Sequence, residues 1–137
     1  MSGIRGKDTK PEIVVRRLLH RLGYRFRLHC KDLPGRPDIV LPKWRTVIFV
    51  NGCYWHGHKD CHLFRLPKTR TEFWSKKIEG NQARDQRNYI VLEAAGWKVL
   101  VIWECAVSKK KSLTIKQLEI ALTAAFKSSK SLIDIRG

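Results

Sequence analysis

The chain has 137 residues, enough for one packed domain over 1–137 without disulfide help. Lys and Arg number 28 against 12 acidic residues, a formal charge of +16, while 43% of residues are hydrophobic and five are tryptophan. That balance excludes a disordered tail and makes a polyanionic partner the leading expectation; the lack of any apolar run of bilayer length sets a membrane partner aside.

In chain order, Thr9-Lys10-Pro11-Glu12 has the form of a capping box with proline in the first turn. Ile13, Val14, Leu18, Leu19 and Leu22 continue at helical spacing, and Gly23 stops the helix. Tyr24 to His29 alternates as a half-buried strand would, and Leu33-Pro34-Gly35-Arg36-Pro37 makes a rigid turn. Asp38 to Leu41 is a short strand with the acid at its mouth. A turn at Pro42-Lys43 precedes Thr46 to Val50, an apolar run typical of a buried central strand. A loop rich in Cys and His runs to Pro67. Two helices are expected next, Thr71 to Ile78 and Asn81 to Ala95, the second ended by Gly96. Trp97 to Trp103 reads as a core strand delivering Glu104 and Cys105. A basic loop at Lys109-Lys110-Lys111 and an amphipathic helix from Leu113 to Phe126 close the chain. The order implies a mixed α/β fold around a small central sheet.

No signal peptide is legible, and four cysteines in such a chain read as thiols or metal ligands, which points to an intracellular protein. Cys53, His58 and Cys61 offer three donors within one loop, and Cys105 supplies a fourth from the end of the last strand, a set suited to tetrahedral Zn²⁺. The alternative is that these cysteines are small buried hydrophobes. Cys30 is expected to be structural. His56 is the remaining imidazole of the loop; spacing alone leaves it equally a ligand, a surface histidine or a general acid or base. His20, His29 and His62 read as surface residues. Asp38, at a sheet edge beside a basic surface, suits Mg²⁺ through oxygen, although Pro-Asp is also a common turn. Glu12 is already accounted for by the capping box, and could turn to the same metal only if the helix end abuts the sheet. Tyr54, Trp55 and Trp74 are the aromatics least explained by core periodicity and suit stacking on bases. Arg36, Arg65, Lys68, Arg70, Arg84 and Arg87 are candidate phosphate contacts, each equally readable as a solvated charge.

Leu33-Pro34-Gly35-Arg36-Pro37-Asp38, Val47-Ile48-Phe49, Gly52-Cys53-Tyr54-Trp55-His56, Thr69-Arg70-Thr71-Glu72-Phe73-Trp74, and Gly96-Trp97 through Trp103-Glu104-Cys105 resemble, in order and spacing, the very-short-patch repair (Vsr) DNA mismatch endonucleases. The likeness runs from about Gly6 to Val107. It implies a restriction-endonuclease-like core with a structural zinc site. The implied reaction is a Mg²⁺-dependent nick on the 5′ side of the mismatched thymine in a T·G pair left by deamination of 5-methylcytosine. By the resemblance, Asp38 is the metal-binding carboxylate, His56 acts on the attacking water, and Glu12 is an auxiliary acid bonded to that histidine or to metal-bound water. Cys53, His58, Cys61 and Cys105 are the zinc ligands; Tyr54, Trp55 and Trp74 are the intercalating aromatics. Arg36 and Arg70 remain phosphate contacts. A monomer acting at the bacterial nucleoid, linked functionally to a cytosine-5 methyltransferase and to mismatch-repair proteins, is also implied. The chain departs from the pattern in three places. Phe49-Val50-Asn51 stands where related nucleases carry Glu-x-Lys, so a second metal contact falls to a backbone carbonyl or water. Lys59-Asp60 lengthens the gap from His58 to Cys61 by one residue. The chain starts at Met1-Ser2-Gly3, where family members usually carry additional N-terminal residues that reach along the DNA; if these are missing, affinity should fall although the core chemistry remains. The competing readings are a restriction-type nuclease cutting matched duplex and a zinc-stabilised DNA-binding module without catalysis.

Overall fold

Thr9 accepts a hydrogen bond from the Glu12 amide and opens helix α1 (Lys10–Arg21), with Pro11 in its first turn where a missing N–H costs nothing. Val15, Leu18 and Leu19 form its buried stripe, and Gly23 follows the last turn at φ +88°, a conformation open to glycine. The computed structural model describes residues 9–54, 56–59, 61, 66, 68–107 and 113–136. The expected basic loop at Lys109 to Lys111, together with Trp55, His62 and Arg65, lies outside these residues.

Five strands form one mixed sheet in the order β1-β2-β3-β4-β5: β1 (Arg27–Leu28), β2 (Ile39–Leu41), β3 (Thr46–Asn51), β4 (Lys98–Trp103) and β5 (Leu132–Ile135). The first three run antiparallel, whereas β3, β4 and β5 are parallel neighbours. Parallel pairing needs crossovers, which helix α2 (Thr71–Ala94) and helix α4 (Ile115–Lys127) supply; a short helix α3 (Glu104–Val107) follows β4 directly. Successive strand residues face opposite sides. Ile39, Leu41, Ile48, Leu100 and Ile102 pack with α1, α3 and α4, while Val40, Val47, Phe49, Val99 and Val101 pack with Tyr89 and Leu92 of α2. The sheet is therefore buried on both faces, which explains the unbroken apolar runs of β3 and β4.

Three expectations need correction. The two helices foreseen between Thr71 and Ala95 are one helix of 24 residues. Gly80 does not break it, because its position opens to solvent with no neighbour to disturb and a helical glycine costs only about 1 kcal/mol. The first strand is confined to Arg27–Leu28. Strand β5 was not foreseen; its residues Leu132 to Ile135 carry too short a pattern to show outside the sheet that pairs them. Lys98 of β4 closes this end of the molecule: its Nζ donates to the carbonyls of Ala125, Phe126 and Ser128 at 2.7–3.1 Å, capping α4 with the charge its C-terminus favours.

Candidate active site and metal centre

The parallel register pairs Asn51 with Trp103, so β3 and β4 end level and release Cys53 and Cys105 side by side. The Cys105 amide donates to Cys53 Sγ at 3.4 Å, and the Cys53 amide donates to Glu104 Oε1 at 3.2 Å. The loop then folds back, with the His58 amide bonded to the Cys53 carbonyl at 2.8 Å. Ligand atoms of Cys53, His58, Cys61 and Cys105 all lie within 4.8 Å of one another. Cys105 Sγ and His58 Nδ1 are 3.6 Å apart, close to the edge of about 3.6 Å that a tetrahedron of Zn–S and Zn–N bonds requires. Burial, and after it the Arg136 guanidinium, pushes the His58 imidazole down to about 4, which keeps it neutral. Burial, with the other thiols, pushes the Cys53 thiol far up. Three sulfurs and one neutral nitrogen, all buried except the half-buried Cys61, form a donor set suited to a cation that strips thiol protons. The cluster excludes His56.

Gly57 makes that exclusion possible. It stands at φ +60°, and a Cβ there would come within 2.5 Å of Ile78 Cγ2 and Gln82 Nε2 on α2. The loop thus presses directly on the helix, and Gln82 Nε2 donates to the Gly57 carbonyl at 3.0 Å. His58 turns to the cysteines and stacks on Trp103, with rings 3.9 Å apart and 4° from parallel. His56 turns to α2, where its Nδ1 meets Asp85 Oδ2 at 2.5 Å. Asp85 escaped the sequence reading because one acid among the Arg and Asn residues of a charged helix looks like surface charge. Beside this pair lies a cavity of about 290 Å³, lined among others by His56, Asp85, Tyr89, Trp103 and Arg136.

Asp38 stands at the mouth of β2. Its Oδ2 accepts the Val50 amide at 2.7 Å, tying it to the central strand β3. Burial pushes its carboxyl up from 3.8 to about 6; the charge of Glu12 adds to the rise, while the Val50 amide and then the His29 and His56 imidazoles oppose it. Asp38 and His56 therefore share one electrostatic neighbourhood.

Of the expected capping box at α1 only the Thr9 half forms, and the Glu12 side chain turns elsewhere. Only 1% exposed, it meets His29 Nε2 at 2.9 Å and Arg16 Nη1 at 3.2 Å. Ligand atoms of Glu12, His29 and Asp38 fall within 4.8 Å of one another. His29 is thus no surface bystander, and the hydrogen-bonded histidine beside Glu12 is His29. The physical reason is tertiary: the β1–β2 hairpin folds His29 over Asp38, where the N-terminal end of α1 abuts the sheet.

Tyr54 and Trp74 meet edge to face at 6.2 Å, and Phe73, 47% exposed, joins Trp74 at 5.2 Å. Arg70 lies over the Phe73 ring at 4.4 Å and precedes α2 at φ +55°. This half-exposed aromatic cluster sits one loop from His56. Arg36 is exposed in the turn before Asp38. Cys30 packs against the core on the α2 side of the sheet.

The family model for DNA mismatch endonuclease Vsr matches residues 1–63. The chain is 58% identical over 108 residues to the type II nicking enzyme V.XorIIP of Xanthomonas oryzae pv. oryzae, covering 79% of each protein. It is 46% identical over 118 residues to the DNA mismatch endonuclease Vsr of Escherichia coli, covering 86% of this chain and 75% of that one. The chain belongs to the Vsr DNA mismatch endonuclease family. A third relative, the type II nicking enzyme V.NmeAIP of Neisseria meningitidis, is 46% identical over 110 residues, or 80% of this chain and 78% of the relative. Membership in Vsr gives the reaction class, endonucleolytic cleavage of DNA, and with it a DNA substrate. No helix among the described residues is long and apolar enough to cross a membrane.

Proposed function

We propose that this Vsr-family endonuclease makes a Mg²⁺-dependent nick in one DNA strand, on the 5′ side of the thymine in a T·G mismatch left by deamination of 5-methylcytosine. The observation that carries the reading is a carboxylate cluster around Asp38 close enough to feel the charge of His56, an imidazole outside the thiol cluster; a half-exposed aromatic group at Tyr54, Phe73 and Trp74 supports it. The core is read as restriction-endonuclease-like, with Asp38 at the start of β2, which pairs antiparallel with β3, and Glu12 in the first turn of α1. The relatives named as nicking enzymes, and the one named for mismatches, support a single-strand cut at a mispair.

Asp38 and Glu12 offer oxygen donors to a divalent cation, and the crowding that pushes the Asp38 carboxyl up is what a cation would relieve. The cation, when bound, supplies Lewis-acid polarisation of the scissile phosphate and charge neutralisation at the leaving oxygen. The remaining work belongs to side chains. Asp85 accepts from His56 Nδ1–H and thereby fixes the tautomer that leaves Nε2 free to take a proton from water. It also stabilises the imidazolium once the proton has arrived. Glu12 holds His29 and Arg16 in place beside Asp38. Cys53, His58, Cys61 and Cys105 hold structural Zn²⁺, which freezes the loop bearing His56. Tyr54 and Trp74, with Trp55 of the same loop, wedge beside the wobble pair, which is easier to open than a matched one. Arg36 and Arg70 contact phosphates. The enzyme acts as a monomer at the bacterial nucleoid, downstream of a cytosine-5 methyltransferase and alongside mismatch-repair proteins.

Labelled T·G, T·A and C·G duplexes, incubated with Mg²⁺ and with EDTA, test the reading. A nick confined to the thymine strand of T·G in Mg²⁺ is expected, and it should collapse in His56→Ala while zinc content and duplex binding persist. Cutting of both strands of a matched duplex, or binding without product, would replace the reading with a restriction-type nuclease or a non-catalytic module.

A further inference from the structure

His29 is held beside Asp38 by backbone as well as side chain. The antiparallel pairing of β1 with β2 sets Leu28 opposite Ile39, and the His29 amide extends the ladder by donating to the Asp38 carbonyl at 3.0 Å. The residue sits at φ +49°, a left-handed conformation uncommon for L residues but one that histidine, like Asn and Asp, adopts more readily than most. That bend turns the imidazole off the strand toward Glu12, whose Oε2 lies 2.9 Å from Nε2. Three elements thus deliver one donor each to a single point: Glu12 from the first turn of α1, His29 from the end of β1, and Asp38 from the mouth of β2.

The spacing suits one ion. In an octahedron with bonds of about 2.1 Å, adjacent donors stand about 3.0 Å apart and opposite donors about 4.2 Å. The Glu12–His29 separation matches an adjacent pair, and all three donors fall within 4.8 Å of one another. Glu12 is almost wholly buried and shares its surroundings with a second carboxylate. We propose that His29 is a nitrogen ligand of the divalent cation held by Asp38 and Glu12, which makes the site a mixed nitrogen and oxygen site favouring a first-row transition ion such as Mn²⁺ over Mg²⁺. The inference rests on the reading of Asp38 as the metal carboxylate. Magnesium prefers oxygen donors and dehydrates reluctantly, whereas imidazole binds the transition ions more tightly, so each nitrogen donor moves selectivity toward them. On loading, Nε2 and the Glu12 carboxylate would both offer lone pairs to the ion, and the hydrogen-bond proton between them would pass to solvent. The rival role is structural, with His29 serving only as a hydrogen-bond partner of Glu12.

Mn²⁺ bound to the full chain, its thiol-rich site first saturated with zinc, separates these roles. Electron spin-echo modulation detects ¹⁴N directly coordinated to Mn²⁺. The expected result is a nitrogen coupling in the unmodified protein that disappears in His29→Gln and persists in His56→Gln. Glutamine at 29 still offers an N–H to Glu12, so a merely structural role would leave the metal site unchanged. The Mn²⁺ dissociation constant should rise about 10-fold or more in His29→Gln, and that for Mg²⁺ by less. Absence of the coupling in the unmodified protein, its survival in His29→Gln, or its loss only in His56→Gln overturns the assignment of His29. Asp38→Asn distinguishes the deeper failure: if it leaves Mn²⁺ binding unchanged, the metal reading of Asp38 falls and takes this inference with it.

Discussion

Replacing Asp38 by asparagine should abolish nicking and yet stabilise the protein in the absence of added divalent cation. The folded carboxyl titrates near 6 against 3.8 for an unperturbed aspartate. At 1.36 kcal/mol per pH unit, that gap caps the cost of holding the ionised group in place at about 3 kcal/mol. Asp38 keeps some contact with solvent, and asparagine still accepts the Val50 amide through a weaker neutral bond. A gain of about 1–2 kcal/mol remains, or roughly 3–8 °C in Tm for a domain of this size. The folded pKa lies above the unfolded one, so the native state binds the extra proton between them. Stability of the unmodified protein therefore falls as pH rises from about 4 to about 6, and the full cost is present above that window. The advantage of Asp38→Asn should accordingly be complete at pH 7.5 and reduced to about one third at pH 4.5. Calorimetry of both proteins at the two pH values, with zinc retained and no Mg²⁺ added, reads the difference. Added Mg²⁺ should then raise Tm for the unmodified protein alone. A variant no more stable at pH 7.5, or equally advantaged at both pH values, refutes the claim that a crowded, desolvated carboxylate waits there for a cation.

Three further outcomes follow from named contacts. Asp85→Asn should lower the single-turnover nicking rate about 10- to 100-fold, with zinc content and T·G affinity unchanged, because His56 Nδ1 loses its charged acceptor; an unaltered rate would remove Asp85 from the mechanism. Gly57→Ala should cost about 2–4 kcal/mol and reduce zinc content and nicking together, since the added methyl meets Ile78 and Gln82 on a backbone at φ +60°; metal analysis beside a thermal melt checks it. Trp74→Ala should weaken binding to a T·G duplex by about 1–3 kcal/mol in fluorescence anisotropy while shifting Tm little, as expected of a half-exposed stacking residue.

The cysteine and histidine loop was legible because metal-ligand chemistry is local in composition: three of its four donors sit within nine residues. The place of Asp38 at the mouth of β2 was legible as a proline-braced turn leading into an apolar run, whereas its role came only from the family resemblance. Asp85 and His29 were not legible, because their meaning lies in what they face. Asp85 acquires a partner 29 residues away only when Gly57 lets the loop press on α2. His29 acquires two carboxylates only when the hairpin closes and α1 docks. Helix α2 was misread as two helices because glycine is a breaker by propensity, yet a small cost at Gly80 is outweighed by the packing of Ile78, Tyr89 and Leu92.

By itself the sequence determined the α/β class, the two central strands, the three sulfur donors of the cluster, and the polyanionic character of the partner. These are properties of residue type and short-range period, and they survive without knowledge of neighbours. Only the tertiary structure decided which histidine joins the thiols, which acid orients His56, and that Glu12, His29 and Asp38 share one point. Such choices are made by side-chain direction across elements far apart in the chain, and direction is fixed only when strand register and helix docking remove the backbone's remaining freedom.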